Sequence, residues 1–237
     1  MRRVFACCAL LAAALATGTV VRAQRDTSVP PVLERFLATV AQGPSSFRAF
    51  RHLEARNSHL SDAAWMRVWT TADESGFTYE IVGQGGSDYV RDRVFLPALE
   101  AERTMWGAGP RGALTHENYT FEDLGAEPGG LAWIGLKPRR KDVLLVNGSI
   151  FLRPDDGDLV RVEGALSRAS SFWTRRVEIV RRYDRIGGVR VPVAFESVAS
   201  IRMAGKATLT MSYEYHNVNG LEVSSGGTTA VATAASR

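Results

Sequence analysis

Four histidines are the first side chains of this 237-residue sequence that could bind a metal ion. They are His52, His59, His116 and His216. None of them stands at a short metal-binding spacing from another, and no acidic cluster accompanies them. Isolated histidines of this kind are expected on the protein surface or on one face of a strand. The sequence therefore predicts no metal site at the histidines.

A run of aspartates is a separate candidate, because Asp155, Asp156 and Asp158 surround Gly157. Three carboxylates so close together could hold calcium. Their spacing, however, lacks the alternating ligands of an EF-hand loop and its distal glutamate. Aspartate and glycine are also favoured in tight turns for local backbone reasons. We therefore favour a solvated hairpin turn over a calcium site.

Nucleophilic or phosphate chemistry has little support in the sequence. No Gly-x-Ser-x-Gly motif presents a serine as a nucleophile, and no base is placed beside one. The segment 83–87 could bind an anion with its backbone N–H groups, but it has neither the ending of a phosphate loop nor the full dinucleotide spacing. A plain connection between a strand and a helix is favoured. We predict no catalytic residue, no cofactor and no enzyme activity.

The dense basic cluster 137–141 is the remaining charged candidate. Arg139, Arg140 and Lys141 could contact phosphate headgroups or an acidic partner. A solvated loop between two strands is the alternative, and we favour it because charge runs are often simply exposed.

The N-terminus predicts export. Arg2 and Arg3 precede an apolar run from Val4 to Ala16, and residues 21–23 fit a signal-peptidase site. We predict a signal peptide over 1–23 and a periplasmic mature chain that begins at Gln24. A membrane anchor is the alternative, but the apolar run is shorter than the roughly 20 residues that a bilayer requires.

Removal of the signal also changes the charge balance. Three of the 29 basic residues lie in the signal, which leaves 26 basic residues against 25 acidic ones in the mature chain. So small a net charge is no indication of nucleic-acid binding. Both cysteines, Cys7 and Cys8, also lie in the signal. The mature chain must therefore be stabilised by a hydrophobic core rather than by disulfides.

Alternation of apolar and polar residues dominates the second half of the chain and predicts a sheet with one dry face. The longest predicted strands are Phe172 to Tyr183, Val189 to Met203 and Lys206 to His216. Helical spacing of apolar residues predicts one helix after Pro31 and another from Asp88 to Trp106, kinked or restarted at Pro97.

Shorter strands are expected between the helices and the long strands. Gly83 to Ser87 is expected to break the strand pattern, Asp142 to Val146 to form a strand, and Asn147-Gly148 to form a hairpin turn. Strands joined by tight turns form antiparallel meanders, and such sheets curl.

The predicted fold is mainly β (α+β). It is a strongly curved antiparallel sheet that forms an open half-barrel, with helices on the concave side. One domain is expected over 24–223, and the small, polar tail 224–237 is predicted to be disordered.

Aromatic residues are spread over nearly every element, and an open curved sheet has only its helices to fill the concave side. A cavity lined by several large apolar residues is therefore one hypothesis, and a fully packed core is the other. The residues proposed to bind an apolar ligand are Trp65, Trp69, Tyr79, Phe95, Trp133, Phe151, Trp173, Phe195, Met211 and Tyr213.

Two segments carry a resemblance to a known family. They are Arg182-Tyr183-Asp184-Arg185-Ile186-Gly187-Gly188-Val189-Arg190-Val191-Pro192, and Asp158 to Gly164 with Ser171-Phe172-Trp173. With the export signal and the helix followed by long meandering strands, they resemble the outer-membrane lipoprotein-sorting-protein-like superfamily. That superfamily includes periplasmic lipoprotein carriers and lipid-binding sigma-factor regulatory sensor domains. The resemblance implies an open half-barrel whose apolar cavity takes acyl chains, without catalysis.

The preferred functional hypothesis is an exported, monomeric, non-enzymatic protein that binds the acyl chains of a lipid or lipoprotein, as a carrier or a sensor. The alternative is a structural or sensory domain of the cell envelope with a filled core and no ligand. That domain would dock an envelope protein on a strand edge or on the loop near Arg139.

Overall fold

The structure, a computed structural model, describes residues 29–39, 43–58, 63–106, 109–168, 174–201 and 205–224. The predicted signal peptide, 1–23, lies outside the described residues. Of the predicted tail, 224–237, only Ser224 is described.

Eleven strands form one antiparallel sheet in the described part of the chain. They are β1 (Phe47–Asn57), β2 (Ala63–Asp73), β3 (Gly76–Gly86), β4 (Tyr119–Ala126), β5 (Ala132–Pro138), β6 (Val146–Leu152), β7 (Leu159–Leu166), β8 (Thr174–Ile186), β9 (Val189–Ile201), β10 (Gly205–Val218) and β11 (Leu221–Glu222).

The strand order is β3-β2-β1-β10-β9-β8-β7-β6-β5-β4, with β11 paired to β10. Neighbours in the sheet are also neighbours in sequence except at the pairing of β1 with β10, which joins the two halves of the chain. Among the described residues β3 and β4 are the free edges, so the sheet does not close into a barrel. The predicted fold class, a mainly β protein with an open curved sheet, is confirmed.

Two helical regions cover one face of this sheet. The first is α1 (Pro31–Thr39), whose buried Leu33 and Phe36 pack toward β6. The second, which we call the long helix, consists of α2 (Asp88–Val90), a π-helical turn (Arg91–Phe95) and α3 (Leu96–Trp106). Ser87 is the N-cap of this helix, since its hydroxyl accepts a hydrogen bond from the Val90 amide.

The π turn lies where the sequence predicts a kink. Pro97 has no N–H group, and in a regular α-helix its ring would collide with the carbonyl of Arg93. The chain widens before the proline, so that the Leu96 amide donates to the carbonyl of Arg91. This wider turn lets the helix continue past Pro97 without a break.

The covered face carries two separate hydrophobic cores. One lies beneath the long helix and combines apolar residues of β1, β2, β3 and β10 with Val90, Phe95 and Leu99. The other lies beneath α1 and combines residues of β5, β6, β7 and β8 with Leu33 and Phe36. The middle of the sheet, where β8, β9 and β10 meet, lies between these cores.

Three local predictions are wrong. Gly83 to Gly86 do not interrupt the strand but continue β3 opposite β2. The glycines are explained by the indole ring of Trp65 on β2, which packs directly against β3. A Cβ atom at Gly85 would lie only 2.6 Å from the Nε1 atom of Trp65. Glycine is required there to let the indole lie against the neighbouring strand.

The second error concerns Asn147-Gly148, which is part of β6 and not a hairpin turn. Gly148 faces Gly164 of β7 so closely that a Cβ atom would lie 2.0 Å from the carbonyl oxygen of Glu163. The residues before it, 142–145, form a loop and not the predicted strand. Asp142 holds this loop by accepting a hydrogen bond from the Leu144 amide and pairing with Arg111.

Candidate ligand-binding cavity

A cavity of about 580 Å³ lies on the covered face, between the long helix and the loops before β4 and β6. Its size falls within the range of roughly 300–1,000 Å³ that is typical of small-molecule sites. The cavity lies above the middle strands, between the two hydrophobic cores, and buried residues of both cores, such as Leu209 and Ile179, line it. It therefore marks the part of the inner face that the chain's own helices leave uncovered.

Three neighbouring strands, β8, β9 and β10, form the floor of the cavity. Because side chains alternate along a strand, every second residue points to the same face. The antiparallel register sets these residues in three rows, which are Arg181 beside Phe195 and Met211, then Ile179 beside Ser197 and Leu209, then Val177 beside Ala199 and Ala207. Successive rows are about 7 Å apart along the strands.

The long helix forms one wall with the predicted apolar stripe. Val94, Ala98, Ala101 and Met105, all of which follow helical spacing, line the cavity. Two of the four are alanines, whose short side chains leave the space open. Val90, at the start of the same stripe, is instead buried in the core beneath the helix. The wall is therefore apolar and thinly filled.

The loops, the start of β6 and β7 form the facing wall, which is also apolar. It consists of Leu114, Val143, Leu144, Val146, Val162 and Leu166. The loop 142–145 that replaces the predicted strand thus contributes Val143 and Leu144 to the site. Its anchor Asp142 is buried, and the pKa of this carboxyl is held below its ordinary value by the hydrogen bond from the Leu144 amide and by Arg111 and Arg140, against the effect of burial.

One end of the cavity is polar because a buried ion pair lies there. Arg51 of β1 pairs with Glu102 of the long helix, whose carboxylate also lies 3.4 Å from the hydroxyl of Tyr213. The guanidinium of Arg51 stacks 4.5 Å from the centroid of the Tyr213 ring and contacts the sulfur of Met211. Burial opposes the charge of Arg51, but Glu102 outweighs it and raises the pKa of the arginine. This network fastens the long helix to the sheet.

Arg181 lies at the same end but in a different state. No carboxylate of the described residues lies within ion-pairing distance of Arg181, and its Nε atom, like that of Arg51, is buried without a hydrogen-bond partner. Its guanidinium packs 5.3 Å from the centroid of the Phe195 ring. Burial opposes the charge, yet Tyr183, Tyr213 and Glu102 nearby raise the pKa of Arg181 above its ordinary value, so the side chain is a cation.

Of the residues predicted to bind a ligand, the structure brings Phe195, Met211 and Tyr213 to the cavity. Tyr79 and Phe95 are on the covered face but pack beneath the long helix, where the Tyr79 hydroxyl bonds Glu100 and Phe95 is fully buried. Trp173 lies outside the described residues.

The other four predicted residues lie on the opposite face of the sheet. Trp65 and Trp69 alternate with the core residues Met66 and Val68, so they point away from the helices. Trp69 contacts Phe50 and His216 there. Trp133 and Phe151 likewise stack on each other on the outer face, and Arg161 covers Phe151.

The arginines of the basic cluster 137–141 form hydrogen bonds within the protein. The Arg139 Nε atom donates to the carbonyl of Tyr119, and Arg140 donates to Asn118 and to the carbonyl of Arg111. Lys141 is exposed beside them. Both arginines therefore hold the loop before β4 against the end of β5. Contact of Arg139, Arg140 and Lys141 with a partner or a lipid headgroup stays a prediction.

Sequence reasoning missed most of the cavity lining, including Arg181 and Glu102. The search for large aromatic residues favoured side chains on both faces of the sheet, whereas the cavity is lined mainly by aliphatic and small residues. A usable signal does exist, because Arg181 occupies an inward-facing position of β8 where Val177 and Ile179 predict an apolar residue. A charge out of phase with the alternation is a candidate functional residue.

No group of acidic, histidine or cysteine side chains in the described ranges is arranged to hold a metal ion. Within the same ranges, no helix is both long and apolar enough to cross a membrane.

The chain is similar in structure to several solved proteins, although no protein-family model and no curated protein matches it. A DUF1329 family protein from Desulfovibrio piger is 9% identical with a TM-score of 0.40, and the match covers 78% of this chain and 92% of that one. A LolA superfamily protein from Nitrosomonas europaea is 12% identical with a TM-score of 0.38, covering 81% and 93%.

An outer membrane lipoprotein-sorting protein domain from Vibrio parahaemolyticus is 13% identical with a TM-score of 0.41, and the match covers 80% of this chain and 92% of that one. Lipoprotein-sorting proteins, which the sequence was predicted to resemble, are therefore among the structures similar to this chain. At these TM-scores they carry no argument about its function, which has to rest on the cavity.

Proposed function

We propose that this protein binds an apolar ligand, an acyl chain, in the cavity above β8, β9 and β10. The observation that carries the proposal is the uncovered middle of the inner sheet face. Val177, Phe195, Ala199 and Ile201 point inward there and are only partly buried by the chain itself. Apolar side chains that line an open volume gain free energy when a ligand removes them from water.

The energetics favour acyl chains in particular. Burial of each methylene contributes about 0.8 kcal/mol, so a long chain supplies substantial affinity without any directional contact. The floor and both walls are largely aliphatic, and they offer few hydrogen-bonding groups outside the polar end. Such a lining suits a flexible hydrocarbon better than a polar metabolite. The role is that of a non-enzymatic carrier or sensor, and the predicted signal peptide makes the periplasm its expected compartment.

The alternative, an envelope interaction domain with a filled core, has less support. It requires the inner face to be packed by the chain's own side chains, whereas the described residues leave a volume of about 580 Å³. The arginines expected to dock a partner, Arg139 and Arg140, are engaged within the fold.

The experiment is to measure uptake of the uncharged dye Nile red and its displacement by long-chain lipids, together with mass spectrometry of gently purified protein. Ala199→Trp places a large ring in the cavity and is expected to abolish binding. The matched control is Val198→Trp, one residue earlier on β9 and exposed on the opposite face. Equal binding by both variants, or a wild-type protein that is always empty and takes up no dye, would contradict the proposal.

A further inference from the structure

Arg181 is a cation in a cavity otherwise lined mainly by apolar groups. The carboxylate nearest to it in the lining, that of Glu102, is already paired with Arg51 and close to the hydroxyl of Tyr213. Two arginines therefore share one carboxylate at this end of the cavity. The local charge is one positive unit in excess.

This excess positive charge restricts which ligands can bind in the cavity. A neutral acyl chain that filled the cavity would displace water from Arg181 and leave the guanidinium without a counterion, which is strongly unfavourable in an apolar surrounding. The acyl chains of a lipoprotein are ester- and amide-linked and bring no anion into the cavity. A ligand that carries its own anionic group would instead neutralise the guanidinium and satisfy its buried Nε atom.

On the basis of the proposed function, we propose that the ligand is a free long-chain carboxylic acid whose carboxylate binds the guanidinium of Arg181. The acid enters with its head group innermost at the row of Arg181, Phe195 and Met211. Its hydrocarbon then runs along the rows of Ile179 and Val177, which are apolar but for Ser197. The hydroxyl of Tyr183, at the same end, is an additional donor for the second carboxylate oxygen.

Arg93, the other arginine in the lining, does not impose the same requirement. It lies on the solvent side of the long helix, is exposed, and stacks near Tyr89. An exposed guanidinium keeps its hydration and gains little from an ion pair. The binding site for the carboxylate is therefore Arg181.

The test compares palmitate with cetyl alcohol, its neutral analogue, as competitors of Nile red. Wild-type protein should bind palmitate at least about tenfold more tightly, as expected for a buried charge-assisted hydrogen bond. Arg181→Met should lose this preference, because the carboxylate of palmitate would be buried without a counterion and the alcohol would no longer cover an unpaired guanidinium. Arg182→Met is the matched control, because Arg182 lies next to it on β8, pairs with the exposed Glu196 and should keep the preference.

The possible outcomes separate this inference from the proposed function. Equal binding of palmitate and alcohol by the wild type, or a preference that survives in Arg181→Met, overturns the role of Arg181 but leaves an apolar-ligand site. Failure of the wild type to bind the dye and both competitors overturns the proposed function itself.

Two further readouts do not depend on affinity. NMR of carboxyl-labelled palmitate should show that the pKa of the bound carboxyl is lower in the wild type than in Arg181→Met. The ligand-free Arg181→Met protein should also unfold at a temperature no lower than the wild type, because the substitution breaks no ion pair among the described residues. A marked loss of thermal stability would indicate a structural role for Arg181 and contradict the inference.

Discussion

Arg190 and Asp158 form a buried ion pair in which an Nη atom of the arginine lies 2.7 Å from Oδ1 of the aspartate. Arg185 binds the same carboxylate, with its Nε atom 2.8 Å from Oδ2. Both arginines belong to the β8–β9 hairpin, and Asp158 belongs to the turn between β6 and β7. Segment 182–192, which carries the family resemblance, thus supplies two arginines that hold the β6–β7 turn in place. This turn packs against α1.

Asp158→Asn should destabilise the protein strongly, by about 3–5 kcal/mol in the free energy of unfolding, because Arg190 would be left buried and without its counterion. Urea denaturation measures the effect. Asp155→Asn is the control, since Asp155 is exposed in the same turn and its substitution should cost no more than about 0.5 kcal/mol. Similar costs for the two variants would contradict the assigned role of the pair.

The same pair predicts a loss of stability in acid. Burial by itself would raise the pKa of Asp158, but the hydrogen bonds and charges of Arg185 and Arg190 outweigh it and hold the pKa below its ordinary value. The stabilisation is therefore complete above the unfolded-state pKa of about 3.9 and is lost as the pH falls through the lower folded-state pKa. The difference in unfolding free energy between wild type and Asp158→Asn should be constant near neutrality and shrink below about pH 4. A difference independent of pH would refute this.

Gly157→Ala should separate α1 from the turn beneath it. Gly157 has a φ of +73°, and a Cβ atom there would lie 2.8 Å from the carbonyl oxygen of Val32 and 2.9 Å from Cβ of Arg35. Gly188→Ala is a matched control, because Gly188 has a φ of +80° but no atom within 4 Å of the added Cβ. Both variants bear a backbone cost of about 1–2 kcal/mol. Only Gly157→Ala should lose more stability than this, as measured by denaturation. It should also lose protection of the α1 amides against hydrogen exchange.

Glu102→Ala should loosen the long helix, because it leaves Arg51 buried and unpaired. We expect a loss of about 3–5 kcal/mol, measured by denaturation, and partial recovery in the double variant Arg51→Met with Glu102→Leu, which removes both charges. Arg103→Ala is the control on the same helix. Its pair with Glu100 is largely exposed and should contribute less than about 1 kcal/mol.

Much of the fold is predictable because its cause is local. Period-two alternation in the last strands, helical spacing after Pro31 and Asp88, and the disruptive effect of Pro97 each act within a few residues. The failures occur where a distant strand decides the conformation. Gly83 to Gly86 stay extended because Trp65 of β2 lies on them, and Asn147-Gly148 stay in β6 because Gly164 permits a close approach.

The candidate site was less accessible to sequence reasoning for a similar reason. Trp69 and Tyr213 look alike as aromatic strand residues, yet one faces outward and the other inward, and this depends on register across several strands. The contact of Glu102 with Arg51 joins residues 51 positions apart, which no spacing rule indicates.

Sequence by itself determined that this chain forms an amphipathic antiparallel sheet with helices on one face, because alternation and helical spacing are properties of neighbouring residues. Only the tertiary structure decided that β1 pairs with β10, that a cavity remains between the two cores, and that Arg181 lines this cavity without a paired carboxylate. These features arise from the strand order and from where each helix comes to rest. Both depend on contacts between parts of the chain that are distant in sequence.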